Sequence, residues 1–230
     1  MIKINQKLDH PLEHKTECLI LACVEEKKPS GTLKKLNDEL AGAISHAFEN
    51  KRFGGKPGQT LLLNSNGKAS NLLLVGIGKS KDVTAEKICQ AAGTAAKLAE
   101  QSNFKSIAAD LSAFEGIAKG KGGFYRELAG AMAEGVGLAL YHFDNYKSRD
   151  EKDDPPSRIE KLTLLTASKS RQASIEKSIA RAEKIINAVH TARDLISHPG
   201  NTATPTFLAD HAKKVARKNK ITCKVLGQKE

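Results

Sequence analysis

A chain of 230 residues with 40% hydrophobic and 27% charged residues is long enough for one large folded domain, and this composition excludes a disordered chain. No apolar run approaches the roughly 20 residues that a membrane-spanning helix requires, so we expect no membrane partner. The formal net charge of +11 is the one unusual value, but no block of five consecutive basic residues concentrates it.

Two features bear on the cellular compartment. The first fifteen residues, Met1–Lys15, are polar and lack the apolar core of a signal peptide, which predicts a cytoplasmic protein. The cysteines have no C-x-x-C spacing, and three of them lie in apolar or alternating stretches. We therefore expect buried free thiols in a reducing compartment, not a disulfide or zinc framework, and the four residues concerned are Cys18, Cys23, Cys89 and Cys223.

The first half of the chain alternates short apolar runs with helical patterns, which predicts a layered α/β domain. Cys18–Val24 has the length and composition of a buried strand. Apolar residues at three- and four-residue spacings predict one helix over Leu33–Phe48. The runs Leu61–Leu63 and Leu72–Val75 flank the pair Asn66-Gly67, so we predict an antiparallel hairpin there.

The pattern continues through the middle of the chain. It predicts a helix over Thr84–Glu100, a strand at Ser106–Leu111, and a further strand at Leu162–Thr166. Between these strands, the helix predicted over Tyr125–Leu140 consists mainly of glycine and alanine. Because each interior glycine costs a helix about 1 kcal/mol, we expect this helix to pack very close to the sheet or to another helix.

The last third has a different organisation. Lys147–Arg158 contains charges of both signs and two prolines, which predicts an exposed loop, and a long amphipathic helix follows over about Ser170–Ile196. His198-Pro199-Gly200 ends that helix. A helix at Thr206–Lys218 and a strand at Ile221–Leu226 then begin a unit that two elements alone do not complete. We thus expect an N-terminal α/β domain at 1–168, a linker helix at 169–198 and a truncated second α/β domain at 199–230.

Two glycine-rich loops raise the question of anion binding. Val75–Ser80 joins a strand to a helix, where loop amides sometimes hold phosphate, but Leu73 stands where a P-loop has its first glycine. We interpret this segment mainly as a tight turn. Gly116–Gly123 is basic and glycine-rich, and we interpret it mainly as a surface loop.

The sequence nominates no catalytic, metal-ligating or ligand-binding residue. His10 and His14 lie in a polar stretch, and His190, His198 and His211 have no H-E-x-x-H context. We interpret Glu134 in Ala133-Glu134-Gly135 as structural or interfacial, since no aspartate accompanies it. No Ser/His/Asp or Cys/His set can be assigned either.

Two longer segments carry a family resemblance. Ala133–Lys147 (AEGVGLALYHFDNYK) resembles the helix-to-loop signature in the N-terminal domain of the leucyl (cytosol) aminopeptidases. Ala192–Ala209 (ARDLISHPGNTATPTFLA) resembles the entry of the same family into its catalytic domain, and it is the more specific of the two. Val75–Lys79 lies where that family has a similar strand and loop, so the resemblance covers nearly the whole chain.

The resemblance implies a fold, an activity and a set of partners. The fold is a three-layer α/β/α, macro-domain-like mixed sheet, followed by the linker helix and the first elements of the peptidase domain. Family members release N-terminal residues, often leucine, from peptides with two divalent metal ions, Mn or Zn, and form homohexamers. The motifs that carry the metal ligands do not occur in these residues, so we expect no bound metal and no peptidase activity from this chain alone.

Three functions thus compete. The first is the accessory and assembly part of such an aminopeptidase, with its own catalytic domain as partner. The second is DNA binding, favoured by the basic face of the last predicted helix and by the behaviour of some bacterial family members. The third is a macro-type domain that binds ADP-ribose through the loops at Gly76 and Gly116. The basic residues of that last face are Lys213, Lys214, Arg217, Lys218 and Lys220, against one Asp210.

Overall fold

One mixed sheet of six strands organises the part of the chain that the computed structural model describes, residues 2–26, 28–119, 123–148 and 157–227. The strand order is β1-β6-β5-β2-β4-β3, and every neighbouring pair is parallel except β3 and β4. The strands are β1 (Lys3–Leu8), β2 (Thr16–Val24), β3 (Thr60–Asn64), β4 (Ala69–Gly78), β5 (Ser106–Asp110) and β6 (Lys161–Thr166).

Seven α-helices accompany the sheet in the described residues. They are α1 (Gly31–Glu39), α2 (Ala43–Glu49), α3 (Ala85–Gln101), α4 (Ala113–Ile117), α5 (Phe124–Ala139), α6 (Gln172–Ser197) and α7 (Pro205–Asn219). Two single 3-10 turns precede α3 and α6.

The alternation of side chains along β2 separates two apolar cores. Cys18 and Ile20 face a core that contains residues of α3, α5 and α6, while Leu19 and Leu21 face a core that contains residues of α1 and α2. Successive strand residues point to opposite faces, so a continuous apolar strand is buried on both sides. This arrangement confirms the predicted three-layer α/β/α fold with a mixed sheet, and β3 with β4 confirms the predicted hairpin.

The small residues of α5 let it lie unusually close to its neighbours. A Cβ atom at Gly135 would overlap the carbonyl oxygen of Cys89 in α3, and one at Gly137 would overlap the side chain of Ile186 in α6. The missing side chains at both positions therefore permit close packing of the helices, although glycine lowers the intrinsic helix propensity. The prediction that this helix packs very close to another helix is confirmed.

The single helix predicted over Leu33–Phe48 is wrong, because the structure divides it into α1 and α2. Ala41 and Gly42 have φ values of 49° and 84°, which end α1 in the left-handed region. Asn37 stabilises the break between α1 and α2 with hydrogen bonds from both its backbone and its side chain. Its carbonyl accepts the amide of Gly42 at 2.8 Å, and its Oδ1 accepts the amide of Ser45 at 2.7 Å.

Strand β1 lies in the polar N-terminal stretch, for which the sequence pattern predicted no strand. Of its six residues only Ile4 is buried, so no clear apolar alternation marks it. It pairs in parallel with β6, from Lys3 opposite Lys161 to Leu8 opposite Thr166. An edge strand contacts only one neighbour, which explains why its sequence tolerates so many exposed polar side chains.

Helix α6 packs against the core of the domain with its first four turns. Ile175, Ile179, Ala182 and Ile186 are buried, whereas Ile196 near its end is 84% exposed. None of the described helices has the length and apolar character needed to cross a membrane. The predicted loop at 147–158 lies largely outside the described residues, since 149–156 are among those not described.

The predicted strand at Ile221–Leu226 is wrong, since these residues form no strand in the structure. Lys220 ends α7 in the left-handed conformation with φ 57°, and the amide of Ile221 bonds back to the carbonyl of Ala216. A strand requires a neighbouring strand for its backbone hydrogen bonds, and none of the described strands lies beside this segment. Ile221 and Leu226 are each 62% exposed.

Candidate functional site

The end of α5 and the end of α6 meet in a junction that joins the two longer sequence motifs. His190 donates from Nε2 to the carbonyl of Gly137 at 3.1 Å, and Arg193 donates from Nη1 to the carbonyl of Leu138 at 2.7 Å. The last carbonyls of a helix have no partner within that helix. Side chains of α6 therefore cap the C-terminus of α5, and burial lowers the pKa of His190, which favours its neutral form.

Tyr141 extends this junction beyond the end of α5. Its hydroxyl donates to Oδ1 of Asp194 at 2.8 Å. Its ring lies 5.1 Å from the ring of His190, and the guanidinium of Arg193 lies 5.4 Å from the centre of the same ring. One side chain is thus held by three residues of one face of α6.

His198 forms the centre of an aromatic cluster just after α6. Tyr146 Oη lies 2.7 Å from Nδ1 of His198. The rings of Phe143 and Phe207 lie 5.2 and 5.3 Å from the His198 ring, both edge to face. The cluster connects the segment after α5, the end of α6 and the first turn of α7.

The backbone between α6 and α7 is determined by its prolines and threonines. The carbonyl of Pro199 accepts amides from Thr202 at 2.8 Å and Ala203 at 2.9 Å, which closes a tight turn. Thr204 is the N-cap of α7, where its hydroxyl accepts the amide of Phe207 at 3.3 Å, and Pro205 occupies the first turn. The direction in which α7 leaves the domain is therefore fixed locally.

Helix α7 presents apolar side chains that the described residues leave uncovered. Leu208 is 44% and Val215 is 39% exposed, and Ala216 is its one buried residue. The basic residues predicted to form a charged face are all exposed as well. The helix therefore contributes little to the core of the domain that precedes it.

A second feature is a cleft of about 450 Å³ at the carboxyl ends of β2 and β5. From β2 the chain proceeds to β4 on one side, and α3 then carries it back to β5 on the other side. The cleft therefore lies at the topological switch point of the sheet, where open α/β sheets bind their ligands. Its walls come from the end of β2, the first turn of α1, and α4.

Asp110, the last residue of β5, lines this cleft and is only 3% exposed. Its Oδ1 accepts the amide of Ser112 at 2.9 Å, and its Oδ2 accepts the Ser112 hydroxyl at 2.6 Å. Burial raises the pKa of Asp110, which the two hydrogen bonds from Ser112 oppose. Sequence analysis did not single out this carboxylate, because one aspartate after an apolar strand has no distinctive pattern.

The two glycines predicted to lie in loops belong to regular elements, Gly76 to β4 and Gly116 to α4, and they differ in their access to the cleft. Gly116 lines it, but Gly76 is closed off, since a Cβ atom there would overlap the backbone of Gly55 and Lys56. The amide of Gly76 already donates to the carbonyl of Gln59 at 2.8 Å. The interpretation of Val75–Ser80 as a tight turn is wrong for most of the segment, because Val75–Gly78 are the last residues of β4 and the chain turns towards α3 only in the 3-10 turn Ser80–Asp82. Residues 120–122 of the second glycine-rich segment lie outside the described part.

Three of the histidines occupy structural positions. His14 Nδ1 lies 2.9 Å from Oδ2 of Asp9, within hydrogen-bond distance, while His190 and His198 belong to the junction. Glu134 lines a shallow groove between α5 and α6 near Arg181, in keeping with an interfacial role. Cys18 and Cys23 are buried, as expected, and Cys89 is half-buried. The expectation of burial is wrong for Cys223, which is exposed in the segment after α7.

Comparison with known proteins identifies the family. Residues 20–150 match the N-terminal domain of the cytosol aminopeptidase family. The chain belongs to this family. A probable cytosol aminopeptidase of a Geobacter species is 34% identical over 232 aligned positions, which cover 100% of this chain and 45% of the relative. The cytosol aminopeptidase of Pseudomonas aeruginosa is 36% identical over 220 positions, 94% of this chain and 43% of the relative.

Solved structures agree with the cytosol aminopeptidase assignment. A mutant of tomato leucine aminopeptidase superposes with a TM-score of 0.77 at 26% identity, covering 96% of this chain and 43% of that chain. The bottromycin maturation enzyme BotP in complex with Mn has the same fold, with a TM-score of 0.64 at 22% identity over 89% of this chain and 37% of that chain. This chain thus spans less than half the length of the relatives it matches.

The two metal ions implied by the cytosol aminopeptidase resemblance do not fit the residues described here. No group of three His, Cys, Asp or Glu side chains in the described ranges is arranged to hold a metal ion. We therefore derive no catalytic step through this chain. We predict that the metal-ligating residues lie outside the residues described here.

Proposed function

We propose that the protein is a metal-dependent aminopeptidase that releases N-terminal residues, such as leucine, from peptides. In this proposal, these 230 residues comprise its accessory part and the beginning of its peptidase domain, without the catalytic residues. The match of residues 20–150 to the N-terminal domain of the cytosol aminopeptidase family carries this proposal. The 36% identity to the Pseudomonas aeruginosa cytosol aminopeptidase supports it. The same family supports a cytoplasmic location and a homohexamer as its assembled form.

The accessory role rests on the junction between α5 and α6. In this proposal, residues 1–168 form the accessory domain, 169–198 link it to the peptidase domain, and 199–230 begin the peptidase domain. The contacts of Tyr141 with Asp194 and of Tyr146 with His198 hold the end of α6 against the first domain. They set the direction in which the chain enters the second unit.

The uncovered apolar residues after Pro199 support the same division. Leu208, Ile221 and Leu226 expose between 44% and 62% of their surface, and they lie within nineteen positions of one another. Large apolar side chains that are exposed together in one segment favour a contact with another folded unit. The catalytic unit, with its two Mn or Zn ions, would cover these side chains and supply the Lewis acid that activates water.

Two measurements test this proposal together. The natural reading frame that encodes these residues is followed to its stop codon, and its product is assayed with a leucine anilide in the presence of Mn²⁺ or Zn²⁺. The 230-residue chain is assayed beside it under the same conditions. We expect hydrolysis only where a catalytic portion is present, and metal-dependent hydrolysis by the 230-residue chain would contradict the accessory role.

DNA binding is a second candidate, favoured by the exposed basic side chains of α7 and by the net charge of +11. Within α7, one described ion pair, Lys213 with Asp210 at 3.5 Å, offsets this charge. Contacts with phosphate release counterions, so binding of this kind weakens steeply with salt. A gel-shift titration at two salt concentrations tests it, and affinity independent of salt would oppose it.

A further inference from the structure

The cleft beside Asp110 has the properties of a site for a small molecule. Its volume of about 450 Å³ lies within the range of roughly 300–1,000 Å³ that is usual for ligand pockets. Leu21, Val24, Leu33 and Ile117 contribute apolar side chains to its walls. An apolar cleft with a few convergent polar groups is the usual form of a binding site.

Asp110 provides the polar anchor of the cleft. A buried carboxylate is normally paired with a cation, because taking an unpaired charge out of water is costly. In the described residues, the hydrogen-bond partners of Asp110 are the two groups of Ser112. His10 interacts with it electrostatically, but no described lysine, arginine or histidine forms an ion pair with it. Two bonds leave acceptor capacity on the carboxylate, so it can receive a donor from a ligand.

The first turn of α1 also lines the cleft and provides a complementary group. Ser30 is the N-cap of this nine-residue helix, yet its side chain makes no capping hydrogen bond. The first amides of a helix have no intrahelical acceptor and attract negative charge. Thr32 Oγ1 lies 3.5 Å from Ser112 Oγ, so α1 approaches the residue that holds Asp110.

We propose that this cleft binds a free α-amino acid with a small aliphatic side chain. Its ammonium group pairs with Asp110, and its carboxylate accepts the amides of Gly31 and Thr32. Its side chain packs against Leu33 and Ile117. The evidence for binding comes from the cleft alone. The regulatory role of the ligand depends on the proposed function, since a free amino acid is the product of an aminopeptidase and would act here as an effector.

The charges of the cleft distinguish this ligand from ADP-ribose. Asp110 and Glu26 both line it, and the described lining residues include no lysine or arginine. Among the described lining residues, a diphosphate would therefore approach two carboxylates and find no lysine or arginine to neutralise it. Gly76, the other glycine assigned to ADP-ribose, does not line the cleft and has its amide hydrogen-bonded.

The experiment is a titration of the isotopically labelled 230-residue chain, followed by NMR. L-leucine is the probe, with 4-methylpentanoate and isoamylamine as analogues that lack the ammonium and the carboxylate respectively. ADP-ribose is titrated separately. We expect saturable shifts for L-leucine at the amides of Gly31, Thr32 and Ser112, and an affinity at least about ten-fold weaker for each analogue.

Two variants locate the site. Asp110→Asn keeps the shape of the side chain and removes its charge, and we expect it to weaken L-leucine binding at least about ten-fold. Asp210→Asn makes the same change on exposed α7, and we expect unchanged binding. The analogue series uses the unaltered chain, so it tests the proposal even if Asp110→Asn does not fold.

Three results would overturn the proposal. They are the absence of saturable L-leucine binding at millimolar concentration, equal affinity for L-leucine and 4-methylpentanoate, and preferential binding of ADP-ribose. Each is measured on the chain without any peptidase assay. Failure of this inference is therefore distinguishable from failure of the proposed aminopeptidase function.

Discussion

Tyr141 and Asp194 lie 53 residues apart in sequence, and a hydrogen bond of 2.8 Å from the tyrosine hydroxyl to the carboxylate joins them. The first residue follows α5, and the second lies in the last turn of α6. This bond therefore connects the two motifs that resemble the cytosol aminopeptidases. Together with the caps from His190 and Arg193, it makes the junction a single hydrogen-bonded unit.

Removing the hydroxyl of Tyr141 should loosen that unit. Tyr141→Phe keeps the ring but deletes the hydrogen bond to Asp194, so we expect a lower free energy of unfolding than in the unaltered chain. Urea denaturation followed by circular dichroism measures it. Tyr146→Phe is the control, because its bond to His198 is exposed and should matter less. Equal losses in both variants would contradict a special role for Tyr141.

Close packing of α3 and α5 predicts a strong effect of one added methyl group. Gly135→Ala places a Cβ atom against the carbonyl of Cys89, and we expect a loss of about 1–3 kcal/mol in the free energy of unfolding. Gly116→Ala is the matched control, since no heavy atom lies within 4 Å of its added Cβ. Thermal and urea unfolding of both variants tests the difference. An unchanged free energy of unfolding for Gly135→Ala would show that the helices separate easily.

His190 should make stability depend on pH. Burial lowers its pKa in the folded chain below the ordinary value of 6.5, so the unfolded chain binds the proton more readily. Its contribution to stability is therefore present above pH 6.5, and it is lost as pH falls from 6.5 through the folded pKa. Unfolding free energies between pH 8 and pH 5 measure this loss.

His190→Gln is the variant that isolates this effect. Glutamine can still donate a hydrogen bond to the carbonyl of Gly137 but does not titrate. We expect a shallower decline of stability from pH 7 to pH 5 than in the unaltered chain. An unchanged slope would assign the pH dependence to the other histidines.

The thiols should differ sharply in reactivity. Burial raises the pKa of Cys18 to about 12 and also raises that of Cys23, whereas Cys223 is exposed. Because the thiolate is the reactive form, an aromatic disulfide reagent at neutral pH should label Cys223 first. Cys18 and Cys23 should react only as the chain unfolds. Cys223→Ser should remove the fastest phase, and fast labelling of Cys18 would contradict its burial.

The layered fold could be predicted well because the sequence patterns of its strands and turns are local. Continuous apolar runs marked β2, β5 and β6, and Asn66-Gly67 marked the hairpin. Two errors had local causes that the pattern does not report. The stripe over Leu33–Phe48 is periodic across a break made by Asn37 and Gly42, and Ile221–Leu226 alternates like a strand but has no strand beside it in the described residues.

The candidate sites were harder to predict because they depend on distant residues. The motifs around Tyr141 and Asp194 were each recognised, but their contact follows from how α6 packs on α5. Asp110 becomes a buried anchor only because β2 and β5 are neighbours and α1 and α4 enclose their ends. Neither relationship appears as a periodicity or spacing in one segment.

Strand β1 also constrains the order in which the molecule assembles. Ile4 lies opposite Leu162 in the parallel pair with β6, so the first strand finds its partner only after almost all of the sheet has been synthesised. Pairing across so long a stretch of chain forms slowly compared with local hairpins and helices. On the ribosome, β1 cannot pair until β6 has emerged. We therefore expect the pairing of β1 with β6 to be a late event in folding.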